Sequence, residues 1–267
     1  MSAPTPRPGS VALITGGTGG FGRALAAKLG EREVTVVLAD LDSERARATA
    51  ADLGAEFEVL DVTDRAANAA LVERIEARHG RLDAAYLNAG ISAAKSEDEL
   101  DLDEFLHVVD VDLFGVVYGT VAARPAIKRA GGGAIVVTAS LAGLSPMATD
   151  PGYSVAKGGA VAFVRSMAPR LAAENITITA ICPGFADTAI IDPIREEFEK
   201  AGFPVLTANE VAEAMVLAWT SGQPGAAYVV QPGVGVVPYA FKGVPSAKTA
   251  AGETAVVPEA LRPPSMR

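Results

Sequence analysis

The sequence predicts an α/β fold with a doubly wound, mostly parallel sheet that carries helices on both faces. Two observations lead to this prediction. Short, continuously apolar segments, typical of strands buried on both faces, alternate with longer amphipathic segments of helical period. A glycine-rich turn also joins the first strand to the first helix. Strands that alternate with helices form right-handed crossovers and therefore a parallel sheet.

Seven strands and six helices are predicted in near-regular alternation. The strands are short apolar runs at residues 11–15, 34–39, 56–60, 82–87, 134–138, 176–181 and 226–230. The helices are amphipathic segments at residues 21–30, 43–53, 66–79, 103–129, 154–174 and 209–220. The fourth is predicted as one long helix despite Gly115, Gly119 and Pro125.

The chain of 267 residues is long enough for one large domain. Residues 1–9 are proline-rich and are interpreted as a flexible arm, and residues 10–231 as a single domain. Residues 232–267 are rich in Pro, Gly, Ala and Val and form a C-terminal extension. This extension is either a disordered tail or an arm that packs on its own subunit or a neighbour.

The composition excludes several kinds of protein. A formal charge of −9 and a pI near 4.8 argue against a nucleic-acid partner. We find no secretory signal and no apolar run of membrane-spanning length, so no membrane partner is expected. The single cysteine, Cys182, suits a reducing compartment and a cytoplasmic location. His79 and His107 are too few and too far apart for a metal site.

The glycine-rich turn, residues 15–22, predicts a dinucleotide site. Such a turn bends sharply, lets the backbone approach a pyrophosphate, and directs a helix N-terminus at its charge. The alternative is a plain tight turn. The candidate binding residues here are Gly16, Thr18, Gly19, Gly20, Phe21 and Gly22.

Asp40, at the end of the second strand, predicts NAD rather than NADP. Its carboxylate can accept hydrogen bonds from the adenosine ribose and would repel a 2′-phosphate. The following residues, Leu41 and Asp42, are not basic. The alternative, a helix cap, fits Asp42 or Ser43 better than Asp40.

Two further segments are candidates for the adenosine half of a cofactor. Asp61, with Val62 beside it, follows the third strand and can meet the adenine amino group. Asn88, Ala89 and Gly90 follow the fourth strand, where small residues let the backbone lie against the cofactor. Each segment alone would be a turn or a helix cap.

Tyr153 and Lys157 form the candidate catalytic pair. Four residues apart on a helix, their side chains share one face. An ammonium beside a phenol favours the phenolate, so the pKa of Tyr153 is expected to fall and the phenol to become a usable general base. The alternative is an ordinary pair on a helix surface.

Together these motifs resemble the short-chain dehydrogenase/reductase family, from about residue 11 to residue 230. The resemblance implies a Rossmann-like domain with a seven-stranded sheet and hydride transfer between NAD(P) and an alcohol or carbonyl. It implies that Tyr153 is the general acid or base and that Lys157 lowers the Tyr153 pKa and binds the nicotinamide ribose. Ser140 would polarise the substrate oxygen. Pro183, Gly184 and Thr188 match the family's Pro-Gly-x-x-x-Thr pattern and would bind the nicotinamide.

One residue departs from the family pattern. Where the family usually has an asparagine that holds a water in a proton relay, this chain has Asp112, unless the alignment slips by two residues to Asp110. An aspartate would place a second negative charge near Lys157. We expect a raised Lys157 pKa and an altered pH optimum without loss of turnover.

The expected function is interconversion of a secondary alcohol and a ketone with NAD by a homodimer or homotetramer. The substrate-facing segments are 91–95, 141–152 and 185–204, and residues 186–203 are helical by pattern and interpreted as a lid. An apolar small-molecule substrate is expected from Leu141, Leu144, Pro146, Met147, Phe185, Ile190 and Ile191. The alternatives are an NADPH-type carbonyl reductase of biosynthesis and a catalytically silent NAD-binding sensor.

Overall fold

Eight strands form one sheet in the order β3-β2-β1-β4-β5-β6-β7-β8. The computed structural model describes residues 5–92, 100–256 and 258. Neighbouring strands are parallel except β7 and β8, which are antiparallel. The strands are β1 Val11–Thr15, β2 Thr35–Asp40, β3 Glu56–Val59, β4 Ala84–Leu87, β5 Gly133–Thr138, β6 Ile176–Pro183, β7 Ala227–Gln231 and β8 Gly235–Pro238.

Helices cover both faces of this sheet. They are α1 Gly20–Gly30, α2 Glu44–Asp52, α3 Arg65–His79, α4 Leu102–Val109, α5 Gly115–Arg129, α6 Pro151–Ala172, α7 Arg195–Ala201 and α8 Ala208–Ser221. Local sequence explains where several begin. Ser43 and Asp64 cap α2 and α3, and Thr207 forms a capping box with Glu210 at the start of α8.

Two apolar clusters lie on opposite faces of the sheet. Alternate residues of each strand point to opposite faces, so Leu13 joins the cluster with α3, α5 and α6 while Ile14 joins the cluster with α1 and α8. Trp219 is fully buried on α8, as its place in the pattern predicts. Burying one large apolar side chain contributes about 1.5–3 kcal/mol to folding.

The predicted α/β fold is confirmed, but the sheet has one strand more than predicted. Strand β8 lies in the segment interpreted as the C-terminal extension and pairs Val236 with Val230 of β7. It was missed because Gly233 and Gly235, both at positive φ, suggest a turn rather than a strand.

The long fourth helix also differs from its prediction. Between α4 and α5 the hydrogen bonds widen into a π-helical turn, Asp110–Phe114. The whole helical run, Leu102–Arg129, is long and apolar enough to cross a membrane by length and composition. The expectation that no segment reaches that length is therefore wrong. In the structure the run packs one face on the sheet, where Val116, Ala123 and Ile127 are buried.

Candidate active site

A groove crosses the carboxyl ends of the central strands, where the strand order reverses between β1 and β4. The predicted cofactor residues that line it are Gly16, Gly19, Gly20, Phe21, Asp40, Leu41, Asp61, Val62, Asn88, Ala89, Gly90 and Thr188. Its walls are completed by Ile91 and Ile190, which were predicted to face the substrate, and by Leu60, His107 and Val111, which were not predicted. The other predicted residues lie outside these walls: Thr18, Gly22, Tyr153, Lys157, Pro183 and Gly184.

The glycine-rich turn is built for close approach of its backbone. Gly16 has φ +60°, and a Cβ there would lie 2.7 Å from Ala89 Cα. A Cβ on Gly22 would lie 2.5 Å from the Gly17 oxygen, so Gly22 lets α1 pack against the turn. Gly19 caps α1 without a side chain, which leaves the helix N-terminus able to receive an anion. The turn therefore fits a pyrophosphate.

Asn88 holds the turn in place from the neighbouring strand. Its amide nitrogen donates to the backbone oxygens of Thr15 and Gly16, at 3.1 and 3.2 Å. The Thr15 hydroxyl accepts from the backbone N–H groups of Asn88 and Ala89. The side chain of Asn88 thus fixes the floor of the groove.

Asp40 is oriented by Thr18. One carboxylate oxygen accepts from the Thr18 N–H at 3.0 Å and from its hydroxyl at 2.6 Å. The other accepts from the Leu41 N–H at 2.9 Å. Thr18 was predicted to bind the cofactor, but the structure places it behind Asp40 as its hydrogen-bond partner. Ser43, and not Asp40, caps the N-terminus of α2.

The remaining cofactor residues lie at the two ends of the groove. Asp61 lines the groove and accepts from the Thr63 N–H and hydroxyl, an arrangement that also serves as a turn. At the other end, Thr188 packs over the start of α1, 3.3 Å from where a Cβ on Gly20 would lie.

Pro183 and Gly184 lie at the carboxyl end of β6, outside the lining of the groove. Pro183 ends β6 in register with Val230. A Cβ on Gly184 would lie 2.4 Å from the side-chain oxygen of Gln231. The structure therefore gives Gly184 a packing reason to be glycine.

Tyr153, Lys157 and Ser140 come together beyond the Gly90 end of the groove. The Lys157 ammonium lies 5.4 Å from the centre of the Tyr153 ring and donates to the backbone oxygen of Thr138 at 2.9 Å. The Ser140 hydroxyl accepts from the Ala142 N–H at 3.1 Å and lies near enough to the Tyr153 phenol to lower its pKa. A Cβ on Gly90 would lie 3.1 Å from the Lys157 nitrogen, so the groove and this cluster adjoin.

The charges of the cluster oppose the expected drop in the Tyr153 pKa. Burial raises the pKa of the Tyr153 phenol above its ordinary value. Lys157 and the Ser140 hydroxyl lower it, whereas the carboxylates of Asp112 and Asp150 raise it further. Lys157 thus lowers the pKa of the phenol as expected, but the expected net fall is not met, because burial and two carboxylates outweigh one ammonium.

Asp112 is fully buried and contacts Lys157 directly. Its Oδ2 lies 3.0 Å from the Lys157 nitrogen, and its Oδ1 accepts from the Ile91 N–H at 2.8 Å. Asp110, the alternative from the sequence, is exposed. Burial on its own would lower the pKa of Lys157, but the Asp112 carboxylate and the Tyr153 phenol together outweigh burial, and the Lys157 pKa is raised. The expected direction for Lys157 is confirmed.

Asp150 was missed by the sequence reasoning. It is buried, caps α6 by accepting from the Tyr153 N–H at 2.9 Å, and accepts from the Ser92 hydroxyl at 2.8 Å. Asp150 before Pro151 is a helix-start signal that could have identified it.

His107 and Cys182 lie near the site. His107 lines the cofactor groove. Cys182 is buried near the catalytic cluster, and burial raises the pKa of its thiol to about 12, which makes it unreactive.

The predicted lid has two short helices rather than one. A 3₁₀ turn, Ala189–Ile194, leads into α7. A parallel bridge between Ala186 and Leu206 closes its base, with Asp187 N–H donating to the Leu206 oxygen and Leu206 N–H to the Phe185 oxygen, both at 2.8 Å. This closed segment, residues 186–206, is called the lid below.

Three phenylalanines, two within the lid and one just before it, pack together. The ring centres of Phe185 and Phe198 are 4.6 Å apart, and Phe203 contacts both. Of the predicted apolar lining, Ile190 faces the groove and Ile191 is buried. Leu141, Leu144 and Met147 are half-buried and Pro146 is exposed, in the segment between Ser140 and α6. The predicted segment 91–95 is described only as far as residue 92.

Known proteins are similar to this chain over most of its length. Residues 10–199 match the short chain dehydrogenase family. A cis-4-hydroxycyclohexanecarboxylate dehydrogenase from Sinomonas cyclohexanicum is 37% identical over 186 residues, 68% of this chain and 75% of the relative. A cyclohexanol dehydrogenase from Acinetobacter sp. (strain SE19) is 35% identical over 197 residues, 72% and 77% of the two chains.

A solved structure is also similar to this chain in its fold. The crystal structure of a levodione reductase superposes with a TM-score of 0.73 at 31% identity. The match covers 80% of this chain and 92% of the reductase.

Proposed function

The chain belongs to the short-chain dehydrogenase family and is an oxidoreductase that acts on CH–OH groups, and we propose that it interconverts a secondary alcohol and a ketone with NAD. The observation that carries this proposal is the contact between the catalytic cluster and the groove. Lys157 adjoins the groove at Gly90, the Tyr153 ring lies 5.4 Å from the Lys157 nitrogen, and Ser140 lies near enough to the phenol to lower its pKa.

In the proposed mechanism, side chains of the protein transfer the proton and the cofactor would carry the hydride. Held in the groove by residues such as Asp40, Gly90 and Thr188, NAD would supply the hydride acceptor for alcohol oxidation and NADH the hydride donor for ketone reduction. Tyr153 takes the hydroxyl proton during oxidation and returns it to the carbonyl oxygen during reduction. Ser140 donates to the substrate oxygen, and Lys157 favours the deprotonated phenol.

Asp40 supports NAD rather than NADP as the cofactor. Thr18 and the Leu41 N–H hold its carboxylate at the groove wall. A 2′-phosphate would meet this charge, whereas a ribose diol would donate to it. An NAD-linked oxidation also agrees with the cytoplasmic location that we propose from the sequence.

The substrate is proposed to be an uncharged, apolar alicyclic alcohol. In the described part of the chain, Lys157 at the catalytic cluster pairs with Asp112. The lid cation Arg195 pairs with Asp187 and Asp192, and the lid cation Lys200 with Glu196 and Glu197. A substrate carboxylate would meet no unpaired cation among these described residues and would lie near the carboxylate of Asp112. The ring size follows from the cyclohexane names of the two relatives.

The test is NADH formation from a panel of secondary alcohols. We expect cyclohexanol and its alkyl derivatives to react, and cis- and trans-4-hydroxycyclohexanecarboxylate to react at least tenfold more slowly in kcat/KM. Replacing Tyr153 by Phe should lower kcat by on the order of 10²–10⁴. Retained activity in that variant would overturn the mechanism. A silent sensor would bind NAD, turn over nothing, and be indifferent to the substitution.

A homo-oligomer is proposed, with the Leu102–Arg129 run as its interface. The outer face of this run carries Leu106, Phe114 and Val121, each more than 40% exposed, and Tyr118 stacks on Phe114. A large exposed apolar surface of this kind marks a protein contact. Family members commonly bury such a face between subunits.

A further inference from the structure

Asp112 lies in the π-helical turn between α4 and α5. Its carboxylate faces the loop that follows β4, where the Ile91 N–H donates to Oδ1. A Cβ on Gly90 would lie 3.0 Å from Oδ2 and 3.1 Å from the Lys157 nitrogen. The glycine therefore lets the carboxylate and the ammonium meet without an intervening side chain.

The contact changes what Lys157 can do for Tyr153. Lys157 is fixed on two sides, by the Thr138 oxygen at 2.9 Å and by Asp112 Oδ2 at 3.0 Å. At these distances a carboxylate cancels much of the lysine's potential at the phenol. An amide in the same position would leave the full positive charge to act on Tyr153.

The other charged groups around the phenol add to this effect. From α6 come Asp150 and Lys157, and from β6 comes the neutral thiol of Cys182. Among the described residues, the carboxylates of Asp112 and Asp150 both act against the phenolate, whereas Lys157 favours it.

We propose that Asp112 is a positioning residue that holds Lys157 by a direct ion pair and withholds part of its charge from Tyr153. Compared with the same site carrying Asn, this site oxidises alcohols only at higher pH and reduces ketones over a wider pH range. The inference rests on the proposed function, because it assumes that Tyr153 exchanges the substrate proton.

The first test needs neither cofactor nor turnover. Tyrosines labelled with ¹³C at Cζ report their own ionisation by NMR, and the Tyr153→Phe variant identifies the signal of Tyr153 among five tyrosines. In Asp112→Asn, we expect Tyr153 to ionise on the order of one pH unit earlier than in the unmodified protein. An unchanged or later ionisation would overturn the proposal.

The second test measures kcat/KM against pH in both directions. For alcohol oxidation, the rise with pH should begin about one unit lower in Asp112→Asn, which is a tenfold higher rate at a pH on the rising limb. For ketone reduction, the fall with pH should also begin earlier. A variant slower at every pH with an unmoved profile would mean that Asp112 is merely structural.

Asp83→Asn is the matched control. Asp83 is equally buried and ion-paired, with Arg81, but it lies at the start of β4, at the opposite end of the sheet from the site. The Asp83→Asn variant should leave the ionisation of Tyr153 and both pH profiles unchanged. If Tyr153→Phe stays active, the proposed function fails; if it is inactive and Asp112→Asn shifts nothing, only this inference fails.

Discussion

At the scale of single residues, the cofactor preference depends on a threonine that does not line the groove. Thr18 gives Asp40 two hydrogen bonds, one from the backbone and one from the hydroxyl. Hydrogen bonds to a charged group are worth roughly 1.5–3 kcal/mol, enough to decide the orientation of a carboxylate at a groove wall.

Replacing Thr18 by Val removes the hydroxyl and keeps the shape. We expect the ratio of kcat/KM for NAD over NADP to fall by roughly tenfold, because Asp40 loses its fixed direction. The measurement is steady-state kinetics with both cofactors. In an Asp40→Ala background, the same change should have no further effect, and an additive loss would show that Thr18 acts independently of Asp40.

Gly16 is a second residue with a sharp requirement. Alanine there would sit at φ +60° and 2.7 Å from Ala89 Cα, so the turn must deform. We expect Gly16→Ala to weaken NAD binding at least tenfold, measured by calorimetry. Gly30→Ala, at the end of α1 with open space around its Cβ position, should bind NAD normally.

The sequence predicted the residues of the site better than their contacts. Residue type and place after a strand were enough to identify Asp40, Gly90, Tyr153 and Lys157. They did not predict the hydrogen bonds between Thr18 and Asp40 or the balance of charges around Tyr153. Both depend on contacts between side chains that are far apart in the sequence. For this reason the predicted direction of the net shift in the Tyr153 pKa was wrong.

At the scale of elements, α5 is tied to the end of α6 by a charged cluster. Glu174 accepts from Arg124 and Lys128, at 2.7 and 2.9 Å. Hydrogen bonds from these two cations lower the pKa of Glu174 to about 2. A carboxylate with a lowered pKa stabilises the fold above its unfolded pKa, about 4.3, and loses that effect as the pH falls toward 2.

We therefore expect Glu174→Gln to lower the melting temperature at pH 7 by roughly a few degrees. The gap in melting temperature between the variant and the unmodified protein should shrink below pH 4. Calorimetry across this pH range checks it. Glu213, which pairs with Lys28 alone on the surface, provides the comparison: Glu213→Gln should have a smaller effect. A difference that persists at pH 2.5 would contradict the role of charge.

Elements were predictable where they depend on local pattern. The strands buried on both faces and the capped helices were found within a few residues, because apolar runs and cap residues are local signals. The π-helical turn and β8 were not found. The first is a slip in backbone hydrogen bonding that leaves no mark in periodicity, and the second depends on pairing with an edge strand.

At the scale of the whole molecule, the exposed apolar face of Leu102–Arg129 leads to a test of assembly. Replacing Val121 by Arg places a charge in that face. We expect light scattering to change from a dimer or larger species to the mass of one chain. Val244→Arg, at a residue 89% exposed and outside that face, should leave the mass unchanged. A monomeric unmodified protein would refute the proposed assembly.

The lid has a consequence for how this enzyme class acquires new substrates. Its two ends meet at one parallel bridge, so the segment from Ala186 to Leu206 enters and leaves the domain at a single place. Within it, Thr188 and Ile190 line the cofactor groove, so only the part of the lid beyond Ile190 could be replaced without changing that groove. We expect chimeras that exchange residues 191–205 to take on the substrate selectivity of the donor while keeping NAD.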